Sequence, residues 1–151
     1  MADGKNPAGS RVRQDMNEPM RPRYADLFRR MRDPDPVAAD AAFDAVLFDR
    51  AGALPDLVEC LEKSKKDPVL RFLCVQLLGF SESPEALPSL IEALDDKHPM
   101  VRAEACRSLE DLGHPSSVSH LEARLDDVDA EVRIAAAEAL VAMRGGPRDA
   151  E

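Results

Sequence analysis

The sequence predicts an all-α solenoid of about four helix pairs, on three observations. A repeat of about 31 residues runs along the chain, apolar side chains recur at helical spacing inside each copy, and prolines fall where helices begin. The repeat is plainest in the middle. Ala86-Leu87-Pro88-Ser89-Leu90-Ile91-Glu92-Ala93-Leu94 follows the similar Ala53-Leu54-Pro55-Asp56-Leu57-Val58-Glu59-Cys60-Leu61 by 33 residues. Pro99-Met100-Val101-Arg102 follows Pro68-Val69-Leu70-Arg71 by 31, and Val132-Arg133 follows Val101-Arg102 by 31. The two extra residues belong to the polar stretch 62–67, where a turn tolerates added length.

Taken in order, a leader (1–21) precedes a degenerate first unit (22–52), in which Leu27, Phe28, Met31 and Pro36 stand 63 residues before Leu90, Ile91, Leu94 and Pro99. Units 53–85, 86–116 and 117–146 follow, with a tail at 147–151. In the third unit Leu87, Leu90, Ile91 and Leu94 form one helical stripe, and Val101, Ala105, Leu109 and Leu112 continue it after a turn, so each unit reads as a helix pair. Pro55, Pro68, Pro88 and Pro99 take first-turn positions, where the missing N–H is harmless and the fixed φ is already helical. Asp67 and Asp129 are placed to cap the second helices of their units.

The 151 residues are 44% hydrophobic, enough for a core, and no apolar run approaches the ~18 residues of a membrane span. The opening Met1-Ala2-Asp3-Gly4-Lys5-Asn6-Pro7 lacks a secretory apolar stretch, so the expected location is cytoplasmic. With 20 basic and 29 acidic side chains the net charge is −9. Residues 1–23, with Lys5, Arg11, Arg13, Arg21 and Arg23 against Asp3, Asp15 and Glu18, carry +2 of this, leaving −11 for the rest. The leader is expected to be solvated and disordered. The alternative is a cationic end, joined by Arg29, Arg30 and Arg32, that touches an acidic partner, a membrane surface or another copy of the chain. Cys60, Cys74 and Cys106, odd in number and set among apolar or helical neighbours, read as reduced core residues.

Little catalytic chemistry is written in the chain. His98, His114 and His120 belong to no metal-binding motif, and His98 and His114 precede prolines in turns. There is no Cys-x-x-Cys pair, phosphate-cradling loop or nucleophile elbow, and no metal or cofactor is expected. The acidic charge and an aromatic content of 4% argue against nucleic acid as a partner, because phosphate attraction supplies most non-specific affinity.

The unit typified by Asp127-Val128-Asp129-Ala130-Glu131-Val132-Arg133-Ile134-Ala135-Ala136-Ala137-Glu138-Ala139-Leu140 resembles a HEAT repeat. By length and wording it is most similar to the short bacterial HEAT-like repeat of phycobilisome lyases, over about 125 of the 151 residues. The resemblance implies a right-handed α-α superhelix of HEAT/armadillo type. It also implies a structural Asp-to-Arg ladder between stacked repeats, with Asp six residues before Arg. Asp96 with Arg102 and Asp127 with Arg133 match; the first unit has Asp33 but Ala39, and the second has Arg71 but Lys65. Deoxyhypusine hydroxylases hold iron with His-Glu pairs at the position of Ala103-Glu104, and Ala103 lacks the ligand. HEAT-like DNA glycosylases need a cationic face, which this charge opposes.

In a solenoid the second helices line one extended face, so a partner site is sought in their variable positions. Ala103, Glu104, Glu110 and Asp111 of the third unit align with Phe72, Leu73, Gly79 and Phe80 of the second and with Asp40, Ala41, Leu47 and Phe48 of the first. Leu47, Phe48, Phe72, Leu73 and Phe80 therefore form a candidate apolar binding patch, joined by the polar Glu104 and Arg107. Phe48 and Phe80 lie near helix ends, so packing beneath the next loop is the alternative for them. Phe72 and Leu73, adjacent on one helix, point in different directions, so at least one is expected to face outward. Ile134 and Val141 of the last helix serve equally as a homodimer seam. The expected function is a non-enzymatic protein-interaction module that binds a partner on the concave face. The alternatives are a subunit or chaperone resembling a phycobilin lyase or isomerase, and a homo-oligomeric structural protein.

Overall fold

The computed structural model describes residues 20–145; the basic residues Lys5, Arg11 and Arg13 of the leader, Gly146 and the tail at 147–151 lie outside the described residues. The described residues form eight α-helices and no strand. The first pair is α1 (Pro22–Arg30) and α2 (Pro36–Phe48), and the second is α3 (Leu54–Lys63) and α4 (Pro68–Gly79). A 3-10 turn at Pro84–Ala86 leads into α5 (Leu87–Ala93), which pairs with α6 (Pro99–Leu112). Short 3-10 turns flank α7 (Val118–Ala123), which pairs with α8 (Ala130–Met143).

Local chemistry starts each second helix. Asp35 accepts from the Val37 N–H, Asp67 from Leu70, and Asp129 from Glu131 and Val132, each at 2.9–3.3 Å. Two residues before the N-caps of α2, α6 and α8 an aspartate turns the chain into the helix. Asp33, Asp96 and Asp127 accept from the N–H two residues on, at 2.9–3.0 Å. At the other end, Gly113 closes α6 in the left-handed conformation at φ 72°, which a side chain would resist.

The apolar stripes meet in one continuous core. Leu54, Leu57, Leu77, Leu78, Leu90, Leu109 and Leu121 are its largest fully buried side chains, and Tyr24, Leu27, Phe28 and Met31 carry it into the degenerate first unit. Each first helix packs on its own second helix, while α4 on α6 and α6 on α8 form the main contacts between units. Small residues permit that closeness. Ala135, Ala136 and Ala139 are buried on α8, and Ala103 and Ala105 on α6. Where α4 meets α6, a Cβ added at Gly79 would come within 2.6 Å of Ser108 Cβ, and the Ser108 hydroxyl donates to the Val75 carbonyl at 3.0 Å. In contrast α2 lies chiefly against α1, with Ala42 and Val46 its buried residues.

Arginines tie one unit to the next. The Arg71 Nε donates to Asp96 at 2.7 Å, and Arg102 holds Asp127 through both Nε and Nη2 at 3.0 and 2.9 Å. The ladder therefore runs from each arginine to the aspartate 25 residues ahead. The carboxylate of the aspartate six residues behind is not its partner. Arg102 and Arg133 instead donate to the backbone carbonyls of Asp96 and Asp127, at 2.7 and 2.8 Å, bracing their own turns. In the second unit the insertion moves that brace to the Leu61 carbonyl, which takes Arg71.

The N-terminal half is held by substitutes. Arg32 reaches Asp67 at 3.1 Å, and Arg21 grips the buried Asp56 through its backbone N–H and its guanidinium. Arg21, the last residue assigned to the leader, is thus fixed to α3.

The Gly79–Ser108 approach gives the first test. Gly79→Ala should cost about 1–3 kcal/mol, the range for overpacking a filled contact, read as a lower denaturant midpoint at unchanged m-value. Tolerance of the methyl group would mean that α4 and α6 are not this close.

Candidate interaction surface

The second helices end along a common edge. Leu47 at the end of α2, Gly79 and Phe80 at the end of α4 and Asp111 near the end of α6 line an open groove of about 430 Å³ with Arg50 and Glu82. Arg50 donates to the Leu47 carbonyl at 3.3 Å and lies 3.6 Å from Glu82, bridging the two loops. Glu82 adopts φ 59°, a left-handed backbone uncommon for a residue with a side chain. Asp111 also borders a more polar recess of about 860 Å³ that reaches Glu110, Met143 and Arg144, so the depression continues toward α8.

Phe48 is 91% exposed and does not pack beneath the following loop, the alternative open to it from the sequence. Phe80 is 38% exposed and lines the groove, one unit further along at the equivalent helix end. Leu47, Phe72 and Leu73 are half buried and packed against the core. Phe72 and Leu73 thus behave alike, each turning one edge inward, and neither belongs to the groove. The outer side of α2 carries Val37, Asp40, Ala41, Asp44 and Phe48, all exposed.

Glu104 requires a correction. Expected to face a partner, its side chain is only 8% exposed, because α6 lies between two closely packed neighbours. Arg107, 3.5 Å away and 45% exposed, is its ion-pair partner and the outward member of the two. Burial raises the Glu104 pKa, more than the charge and hydrogen bond of Arg107 lower it. Burial also raises that of Asp111. Asp127 is the reverse case. Burial acts to raise it, but the Arg102 hydrogen bond, the Asp129 N–H and the Arg102 and Arg124 charges together hold it below the usual carboxylate value.

The remaining titratable groups near the core are set for structure. Tyr24 donates its hydroxyl to Asp49 and is pushed up to about 12 by burial, then by that hydrogen bond and the Asp49 charge. The guanidinium groups of Arg21 and Arg23 stack on its ring at 4.8 and 5.2 Å. Cys60, Cys74 and Cys106 are free and buried. A hydrogen bond with Cys60 and burial push the Cys74 thiol well up, and burial takes Cys106 to about 11, so neither presents a thiolate at neutral pH. His114 accepts from the Ser116 N–H at its loop, and His98 precedes α6. Among the described residues no group of three or more His, Cys, Asp or Glu is placed to hold a metal ion. Among them, too, no helix is long and apolar enough to cross a membrane.

Sequence reasoning missed Arg50, Glu82 and Asp111 as groove walls, although Asp111 stood in the aligned columns. It also missed a recess of about 400 Å³ on α1, α3 and the start of α4, with a floor of Ala25, Phe28, Cys60 and Leu70 under Arg29 and Lys63. No signal marks it, because its floor residues belong to the ordinary core stripe.

Stacked helix pairs, tied unit to unit by arginine–aspartate bonds, define an all-α repeat solenoid. A family profile of HEAT repeats matches residues 54–141, and the chain belongs to that family. HEAT repeats are in general protein-interaction modules. A comparison with curated proteins found no match.

The Glu104 shift predicts a pH dependence. An acid whose folded pKa is raised opposes folding when ionised, so the cost is present above that raised pKa and fades as pH falls toward the ordinary glutamate value. Glu104→Gln should be at least as stable as the parent at pH 7, with the difference shrinking on acidification. A gap that is constant or widens in acid, followed by denaturant unfolding, would contradict this.

Proposed function

We propose that the chain is a non-enzymatic binding module, an adaptor, scaffold or regulator that takes a protein partner on the α2–α4 edge. The observation that carries this reading is the pair Phe48 and Phe80, exposed at equivalent helix ends one unit apart, with Phe80 lining the open groove beside Leu47. An aromatic side chain at 91% exposure forgoes roughly 1.5–3 kcal/mol of available burial, which a docking partner recovers. The three buried free cysteines suit a reducing compartment, and on that ground we place the protein in the cytoplasm. The period of 31 residues supports membership of the short bacterial HEAT-like subgroup.

A second reading, self-association through α8, is supported by Ile134 and Val141, which are 51% and 58% exposed on that terminal helix. It does not use the α2–α4 edge.

Affinity purification from a host extract tests the leading reading, comparing the parent with Phe48→Asp. Because Phe48 is exposed, this variant should unfold within about 0.5 kcal/mol of the parent. Phe72→Asp with Leu73→Asp buries charge at half-buried positions and should cost about 2 kcal/mol or more. A protein recovered with the parent and lost with folded Phe48→Asp supports the module. Identical recoveries would remove this edge as the site.

A further inference from the structure

The edge that the proposed function assigns to a partner also has a defined electrostatic character, and the following rests on that assignment. Three helix ends and two aspartates share one sign. Helices α2, α4 and α6 direct their C-terminal ends to the groove, and none has a basic residue in its last turn. Each such end carries about half a negative charge on its unsatisfied carbonyls. Asp111 lies in the groove wall, and Asp44 is exposed on α2 one turn before Phe48. Among the described residues neither Asp44 nor Asp111 has an ion-pair partner. Arg50 is the positive group in the lining, and it is already engaged by Glu82 and the Leu47 carbonyl.

The apolar contribution is arranged among these charges. Phe48 and Asp44 are four residues apart on one exposed helix face, and Leu47 and Phe80 line the groove that Asp111 borders. Partial burial has already raised the pKa of Asp111, so a cation placed over it relieves a cost that the free protein carries. A chain of net charge −9 repels phosphate-rich surfaces, which disfavours nucleic acid and anionic lipid.

We propose that the α2–α4–α6 edge takes a cationic amphipathic peptide segment of a partner protein. Its apolar side chains pack on Phe48, Leu47 and Phe80, and its lysines or arginines lie over Asp44, Asp111 and the carbonyl ends of the second helices. Apolar contact holds the segment, and the charges select its sign and speed its arrival.

Two labelled peptides of about 16 residues test this by fluorescence anisotropy with the full chain. Both carry leucine at i, i+3, i+4 and i+7, one with lysine elsewhere and one with glutamate. The lysine peptide should bind at least about ten-fold more tightly, and added salt should weaken it. Asp44→Asn with Asp111→Asn should reduce its affinity about three- to ten-fold and flatten the salt dependence. Phe48→Ser, alone and with Phe80→Ser, should reduce it further, with helicity by circular dichroism confirming that both variants fold.

The possible failures separate. Equal or tighter binding of the glutamate peptide, still lost in the Phe48→Ser variant, would overturn the cationic class and leave the docking edge. Lysine-peptide binding undiminished in both phenylalanine variants would show general attraction to an acidic body and overturn the edge itself. No binding of either peptide to the parent would overturn the proposal outright.

Discussion

The arginine that reaches forward from one unit to the aspartate of the next is the interaction on which the stack depends. Arg102 shows why. Its fork holds both oxygens of Asp127 while Nη1 braces the carbonyl of Asp96, so one side chain fixes two successive turns. Asp127 in turn accepts from the Asp129 N–H, which positions the cap of α8. The pair is nearly buried, with side chains 12% and 3% exposed, so removing one partner strands a charge at a cost of about 3–5 kcal/mol. The net gain from such a pair over an apolar contact is small. Its consequence is register, since few other positions satisfy the fork and the carbonyl together.

From that register follows the contrast between the two ends of the molecule. Between α4, α6 and α8 the ladder aspartates are in place, and small residues let the helices approach closely. The first unit has no arginine at the ladder position. Arg32 and Arg21 reach Asp67 and Asp56, tying α1 and its loops to the second unit, whereas the ends of α2 and α4 are linked by the looser Arg50–Glu82 pair at 3.6 Å. Phe72 and Leu73 on α4 are bulky and half buried where α6 carries Ala103 and Glu104. The α2 end of the stack is therefore one place where large apolar side chains, Val37 and Phe48, stay in solvent.

Much of this was legible in the sequence because it is local. Helix starts at Pro36, Pro68 and Pro99, caps at Asp67 and Asp129, and a continuous core from Leu27 to Leu140 all follow from spacing. The pairing of Arg102 was not, because the sequence shows that an aspartate precedes the arginine by six residues but not which face of the turn its carboxylate takes. Arg21–Asp56 and Arg32–Asp67 span 35 residues rather than 25 and match no repeating phrase. Gly79 reads as a weak helical residue until Ser108 is placed against it. The candidate surface was legible in kind but not in detail. Phe48 and Phe72 both read as outward apolar positions, yet the exposure of one and half-burial of the other depend on how closely neighbouring helices stack.

A rigid stack from α4 to α8 presents a less firmly held α2 edge. Native-state hydrogen exchange read by mass spectrometry tests it most directly, because protection reports local opening free energy. Amides in the middle of α6 should exchange near the rate set by global unfolding, and those of α2 at least about ten-fold faster. Protection of α2 equal to that of α6 would mean that the first unit is locked into the stack, and the account of an open edge would be wrong.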